Sequence, residues 1–309
     1  MWRYVRKRLL LLIPVILGAI LIIFFILSLC KGDPGSIILG AGADPEAVEE
    51  INQKLGYYDP FFVRYFRYIF NLCKGDLGNS YQTNVPVIQS LLERAPVSLR
   101  TTFMALACAA LIGVPLGVLT AVKQYSLLDT IPTALAMLFA AMPVFWLGMM
   151  LMYVFALKLG WLPSFGVSTF KGLILPTLSL GLPHAARQMR FTRSSMLEAI
   201  REDYVRTARA KGATEKSVIW HHTLKNALLP VITVIGNSFG AMFGGTVIIE
   251  KLFSIPGIGT FMVDGINNRD VPVVTGCVIT IALVYSLVTM LVDILYAYID
   301  PRTKAKFIK

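Results

Sequence analysis

The chain has 309 residues, 56% of them hydrophobic and only 15% charged, with a mean hydropathy of +0.66, a composition outside that of a soluble globular domain. Its formal net charge of +11 would suit a nucleic-acid partner. The basic residues, however, stand at the ends of apolar segments rather than along one face with interleaved aromatics, which argues against nucleic acid and for a lipid bilayer.

In chain order, six apolar stretches approach the roughly 20 residues needed to cross a bilayer core: 9–29, 99–122, 131–157, 173–186, 228–249 and 274–299. The first follows Arg3, Arg6, Lys7 and Arg8. It is too long for a signal peptide and no small-residue cleavage site follows, so it is expected to remain as an anchor. The next segment, 30–98, mixes charges of both signs with the turn signals Gly32-Asp33-Pro34 and Asp59-Pro60. Asp44 ahead of Pro45 and Glu46 predicts a helix through Leu55. The aromatic run Phe61, Phe62, Tyr65, Phe66, Tyr68 and Phe70 suits a membrane surface. It reads equally as a contact surface for an external solute-binding protein or as a small packed cap on the helices. Cys30 and Cys73 fall in this segment, and only the shared compartment favours a disulfide between them.

The later stretches are rich in helix breakers. Gly113, Pro115 and Gly117 interrupt the second and Pro143 the third, while Pro176, Gly181 and Pro183 interrupt the short fourth. Such breaks are tolerated where neighbouring helices or water satisfy the freed backbone groups. In the fifth, Gly236, Gly240 and Gly244 place small residues on one face, for close packing within the subunit or against a second one. Asn237 and Ser238 beside them are candidates to line a polar pathway. Charge inside the spans is confined to Asp293, close to Asp300 and Arg302, which reads as a structural ion pair or helix-end contact. The scarcity of carboxylates near the midplane disfavours a proton- or sodium-driven mechanism.

Basic residues fix the orientation. Arg187, Arg190, Arg193, Arg201, Arg206, Arg209, Lys211, Lys216 and Lys225 lie between the fourth and fifth stretches, and Arg302, Lys304, Lys306 and Lys309 follow the sixth. The loops after the third and fifth carry only Lys158 and Lys171, and Lys251 and Arg269. The expectation is an all-α integral membrane protein of six transmembrane helices with cytoplasmic N and C termini. It divides into a tail and first helix (1–29), an extracytoplasmic segment (30–98) and a core of five helices (99–309) with a cytoplasmic loop at 187–227.

That loop is more than a topology signal. Asp203 is a good N-cap, Tyr204 to Lys211 is helical in composition, and Gly212 can end the helix in a left-handed conformation. Thr214 then caps a second helix running towards Lys225. The turn presents Ala208, Ala210 and Gly212, where another protein's backbone could approach closely. Topology alone needs charge but neither caps nor small residues, so the loop reads as a docking device.

No catalytic motif is present: there is no GxxxxGK[ST], HExxH or GxSxG. His184, His221 and His222 read as helix-surface or interface residues, Cys108 and Cys277 as small apolar ones, and no metal set is seen.

The run Asp203, Tyr204, Val205, Arg206, Thr207, Ala208, Arg209, Ala210, Lys211 and Gly212, followed by His222, Asn226, Leu229 and Pro230, resembles the coupling loop (EAA loop) of ABC importer permeases. Within these it is most similar to the dipeptide, oligopeptide and nickel permease family, in its first (B-type) subunit. Where the broad importer pattern has Glu-Ala-Ala, this chain has Arg206, Thr207 and Ala208. Glu250, Phe253, Pro256, Gly257 and Gly259, then Arg269, Asp270 and Pro272, and finally Asp293, Tyr296, Asp300, Pro301 and Arg302 extend the resemblance over most of the chain. It implies a type I importer transmembrane domain in a bacterial or archaeal cytoplasmic (inner) membrane. The implied partners are a second homologous permease subunit, two cytoplasmic ABC ATPase subunits and an extracytoplasmic solute-binding protein. The chain itself would bind no cofactor, ATP and Mg belonging to the ATPases. Residues 203–212 would dock into an ATPase, with Arg206, Arg209 and Lys211 meeting acidic or polar groups and Ala208 and Gly212 permitting close contact. The implied cargo is a di- or oligopeptide, with nickel, glutathione or another small solute as the nearer alternative. A stand-alone secondary transporter is the more distant one.

Overall fold

A computed structural model describes residues 2–29, 32–40, 42–167 and 169–299. Helix α1 spans Trp2–Leu29 and accommodates Pro14. Asp33 and Asp44, each ahead of a proline, become N-caps. Asp33 accepts from the Ser36 amide at 2.8 Å to open α2 (Pro34–Leu39), and Asp44 accepts from the Glu46 amide at 3.2 Å to open α3 (Pro45–Lys54). Proline suits this first position because its missing N–H would have been an orphan there. The aromatic run folds as α4 (Phe61–Cys73). It is followed by α5 (Val87–Val122), α6 (Leu127–Ala141) and α7 (Val144–Leu151), which continues as a π-helical segment over Met152–Lys158. Then come α8 (Phe170–Ile200), α9 (Asp203–Ala210) and α10 (Glu215–Ser217). A second π-helical segment, Val218–Thr223, leads into α11 (Leu224–Leu252), before α12 (Ile258–Asn267) and α13 (Val271–Ile299).

Among the described residues, four helical stretches are long and apolar enough to cross a membrane, or five if one bent pair is a single crossing. The third apolar stretch is that bent pair: α6 and α7 meet at 108°. Met142 is extended ahead of Pro143, as expected of a residue whose helical conformation is disfavoured by the following ring. The fourth departs in the opposite sense. Pro176 and Pro183 leave α8 unbroken, and its 31 residues carry it far into the basic segment.

The chain forms two compact units. The first comprises Leu99–Ile255 with Met1–Val5 and Leu287–Lys309, and the second comprises Arg6–Ser98 with Pro256–Ser286. In the first unit α8 carries the core. Leu180 and Ala185 pack with Ala105, Ala109 and Met242; Met196 and Ala199 with Val118, Ala121, Leu224 and Ala227; and Ala186 and Met189 with Ala136. A Cβ at Gly113 would stand 2.6 Å from the Ala185 carbonyl oxygen, and one at Gly117 2.5 Å from Thr192 Cβ. Glycine at both places therefore lets α5 lie directly on α8. The glycine face of α11 is divided: Gly236 lies against Val292 of α13, whereas Gly244 faces open space.

In the second unit α4 packs on α1 by one face. Tyr65 is buried, its hydroxyl donates to the Leu17 carbonyl at 3.1 Å, and its ring meets Phe24 edge-on at 6.2 Å. Phe62, Phe66 and Phe70, one turn apart, remain exposed. The aromatic run is thus a packed cap on one side and an apolar ridge on the other. The buried Asp270 ties the loop before α5 to the start of α13, accepting from Ser80 Oγ at 2.6 Å and from the Val273 amide at 3.2 Å. Cys73 is an exposed free thiol; Cys30, the other half of the considered disulfide, lies outside the described residues, as do Asp300, Pro301 and Arg302.

Candidate coupling platform and polar stripe

After α8 ends at Ile200 the chain turns through Arg201 and Glu202 into α9. The N-cap is Glu202, which is extended and makes no side-chain cap bond, rather than Asp203. Asp203 instead occupies the first turn, where its charge still complements the helix dipole. Gly212 ends the helix as predicted, with φ +79°, and its amide returns to the Arg209 carbonyl at 2.9 Å while that of Ala213 returns to Ala208 at 3.2 Å. Thr214 caps α10, accepting from the Ser217 amide at 3.4 Å. The second helix is no separate element, however: α10, the π-helical segment and α11 run on as one helical stretch from Glu215 to Leu252.

The packing of α9 corrects one part of the sequence reading. Val205 and Ala208 are buried against Val218, with Ala213 beside them. Ala208 therefore holds the helix to its own chain and is not displayed for a partner. Tyr204, Arg206, Thr207, Ala210, Lys211 and Gly212 are exposed. Arg209 is engaged within the chain, its guanidinium meeting the Glu215 carboxylate at 2.7 and 3.3 Å. That hydrogen bond holds the Glu215 carboxyl below its ordinary range. Arg206 lies a looser 3.7 Å from Asp203, both exposed. The result is a short helix pinned on one face and presented on the other, with Arg206 and Lys211 outermost. His221 and His222 are exposed in the π-helical segment.

The long helices hold more polar chemistry than the sequence disclosed, and α8, the fourth predicted span, is not among the stretches apolar enough to cross a membrane. Thr177, His184, Gln188 and Thr192 recur along one side of α8 and are all buried. Thr177 Oγ1, His184 Nδ1, both Gln188 amide atoms and Thr192 Oγ1 find no hydrogen-bond partner. Buried polar groups are ordinarily satisfied, and Gln188 and Thr192 of this file lie against Gly113 and Gly117 of α5, so the stripe runs into the contact between α5 and α8. His184 is thus an interface histidine rather than a surface one. The candidates Asn237 and Ser238 behave differently: Asn237 is exposed, and Ser238 donates to the Val234 carbonyl at 2.7 Å. Charge within the spans is not confined to the half-buried Asp293, since Glu250 in α11 is wholly buried. Asp129 near the start of α6 is also buried and takes both ends of Arg193 of α8 at 2.8 Å.

A helical membrane protein with a pinned basic helix beyond its spans is the class that fold and site define. The profile of the family described as binding-protein-dependent transport system inner membrane component matches residues 113–305, and that of the N-terminal part of such components matches residues 1–102. The chain belongs to this family. It is 40% identical to the dipeptide transport system permease protein DppB of Alkalihalophilus pseudofirmus, over 98% of this chain and 100% of that one. It is 39% identical to the glutathione transport system permease protein GsiC of Salmonella typhimurium, over 99% and 100%. Among solved structures, the inward-facing MetNI methionine ABC transporter covers 69% of this chain and 97% of its own with a TM-score of 0.59 at 18% identity, a likeness of fold. The chain is a permease subunit of an ABC importer in the inner membrane, with ATPase and binding-protein partners, and is not itself a catalyst.

Proposed function

We propose that the chain imports di- or oligopeptides as one of a pair of homologous permease subunits, above two ATPase subunits that bind ATP and Mg. It crosses the membrane six times, counting α6 with α7 as one crossing and α8 as another, with both termini and the loop 187–227 cytoplasmic. Segment 30–98 faces the solute-binding protein. The observation that carries the coupling role is the state of α9, fixed to its own chain through Val205 and Ala208 and exposed at Tyr204, Arg206 and Lys211. A docking helix must be rigid on one side and free on the other if a partner's movement is to reach the spans. The solute path is assigned to the side of α11 that carries Asn237 and Ser238, with Asn237 on the exposed face directed to the second permease. The peptide cargo rests on likeness to the dipeptide permease; glutathione is the second reading, favoured by the similar identity to its permeases.

Gly212→Val tests the coupling role. A β-branched residue in a left-handed conformation costs roughly 1–2 kcal/mol, while nothing lies within 4 Å of the added Cβ. The variant is expected to insert normally but to recover less ATPase and to show weaker substrate-stimulated hydrolysis. Arg206→Glu, which alters only the exposed face, should do the same. Unchanged co-purification and stimulation in both variants would remove the coupling role from this loop.

A further inference from the structure

The second compact unit holds an open-mouthed cavity of about 940 Å³ at the extracytoplasmic end of α1, lined by α2, α4, the loop before α5 and the residues around the start of α13. Its charged lining groups differ in what engages them. Arg67 is paired with Asp59 at 2.6 Å. Asp33 is committed to Asn52 Nδ2 at 2.7 Å and to Ser36, and Asp76 accepts from the Gly78 amide at 2.8 Å. Arg64 and Arg269 are different. Arg64 Nε is buried with no hydrogen-bond partner, and its guanidinium stands 5.6 Å from the centroid of the Tyr57 ring. Arg269 has φ +53°, a conformation costly for a residue with a side chain. Its guanidinium lies across Gly32, where any Cβ would collide with it. Neither guanidinium forms an ion pair with a described residue.

Two guanidinium groups that pair with no carboxylate, in a cavity whose own carboxylates Asp33 and Asp76 already accept from neutral donors, leave donor forks open to an anion, and their planar geometry matches a carboxylate best. Tyr81 supplies a third donor; burial pushes its hydroxyl up to about 12, so it stays protonated. The volume is at the upper end of the roughly 300–1,000 Å³ typical of small-molecule sites, large enough for a peptide of a few residues. Asn71 and Asn84 in the lining carry the amide groups that pair with peptide backbone. We propose that this cavity binds the C-terminal carboxylate of a short peptide through Arg64 and Arg269, as a solute site that includes no residue of the α8 stripe. The proposal does not depend on the coupling role of α9.

The test uses the full chain in lipid nanodiscs with no binding protein present, titrated calorimetrically with trialanine and with trialanine amide. The free acid is expected to bind at least tenfold more tightly than the amide. Arg64→Gln and Arg269→Gln should each weaken it at least tenfold with melting unchanged, and the corresponding lysine variants should recover part of the loss. Tyr81→Phe, the mildest change, should weaken binding severalfold even if an arginine variant proves unstable. Equal binding of acid and amide, or arginine variants that bind like the parent, would overturn the assignment. So would acetate binding as tightly as trialanine, or loss of binding in Gln188→Leu instead.

Discussion

Removing Asp129 tests how the first unit is held together. Arg193 meets its carboxylate through Nε and Nη2, both at 2.8 Å, and the Tyr125 amide and Thr133 hydroxyl donate to it at 3.0 and 3.3 Å. Deleting one member of a buried pair costs about 3–5 kcal/mol, because the other charge is left uncompensated. The Asp129 side chain is 8% exposed but that of Arg193 26%, so water can partly solvate the orphaned guanidinium. The expected cost of Asp129→Ala is therefore nearer 2–3 kcal/mol, by discount from that range. With an unfolding entropy of about 2.1 cal/mol/K per residue, this lowers Tm by roughly 3–5 °C for a chain of 309 residues. The assay is thermal unfolding of the detergent-solubilised chain. The double variant Asp129→Ala/Arg193→Met removes both charges and should regain at least half of the loss, so that the coupling is at least about 1 kcal/mol plus the cost of Arg193→Met alone. Strict additivity of the two single effects would refute the account of the pair.

Three further outcomes follow from the packing. Gly117→Val places a branched side chain where even a Cβ would be 2.5 Å from Thr192 Cβ, so α5 must lift from α8 at a cost of about 1–3 kcal/mol. Gly244→Ala, which has open space, should leave Tm unchanged, and equal effects would contradict the helix contact. Ala208→Asp puts a charge into the Val205–Val218 contact and should release α9, seen as trypsin cleavage at Arg209 and Lys211 at least tenfold faster than in the parent. Burial raises the Asp270 carboxyl above its ordinary value, against the hydrogen bonds it accepts from Ser80 and the Val273 and Gln82 amides. The folded state therefore binds the proton more tightly than the unfolded chain. The stability this confers is complete below about pH 3.9 and lost as pH rises through the raised value. Asp270→Asn should abolish that decline, measured as Tm against pH; an unchanged slope would show that Asp270 is not its source.

What was legible in the sequence was local. Asp44 ahead of a proline, Gly212 at a helix end and Thr214 at the next start act within a few residues, and each is where the pattern put it, whereas Asp33, read only as part of a turn, opens a short helix. Glu202 occupies the cap position with no side-chain cap bond, so the capping preference that pointed to Asp203 did not set this boundary. Ala208 was misplaced for want of helical phase: Val205 and Ala208 are three apart and had to share the inward face. The long-range features were beyond reach. Asp129 and Arg193 are 64 positions apart, and nothing in either neighbourhood names the other. Proline alone did not say whether a helix would break, since Pro143 follows the bend between α6 and α7 while Pro176 and Pro183 sit inside an unbroken α8. The spacing of Thr177, His184, Gln188 and Thr192 was visible in principle. It was hidden because the basic residues from Arg187 onward made one continuous helix read as a short span followed by a loop.

That continuity of α8 bears on how coupling would work. One uninterrupted helix carries the unsatisfied polar stripe, the Arg193 end of the buried ion pair and, two residues beyond its last turn, the start of α9. On its other side α9 is held by Val218, in the π-helical segment that runs straight into α11. A displacement of α9 would thus be passed to two long helices at once, across the two-residue turn Arg201–Glu202 on one side and the Val218 contact on the other. If α9 is the docking helix, an ATPase that prefers one of its positions biases α8 and α11, and a solute that prefers one of their arrangements biases the ATPase by the same free energy, because coupling between sites is reciprocal. Loosening the Val205–Val218 contact should therefore abolish both effects together: solute would no longer stimulate hydrolysis, and nucleotide would no longer change access to the solute path, while basal hydrolysis on the ATPases continued. A variant that lost one direction of this equilibrium coupling and kept the other would show that a second connection, outside α9, joins the permease to its motor.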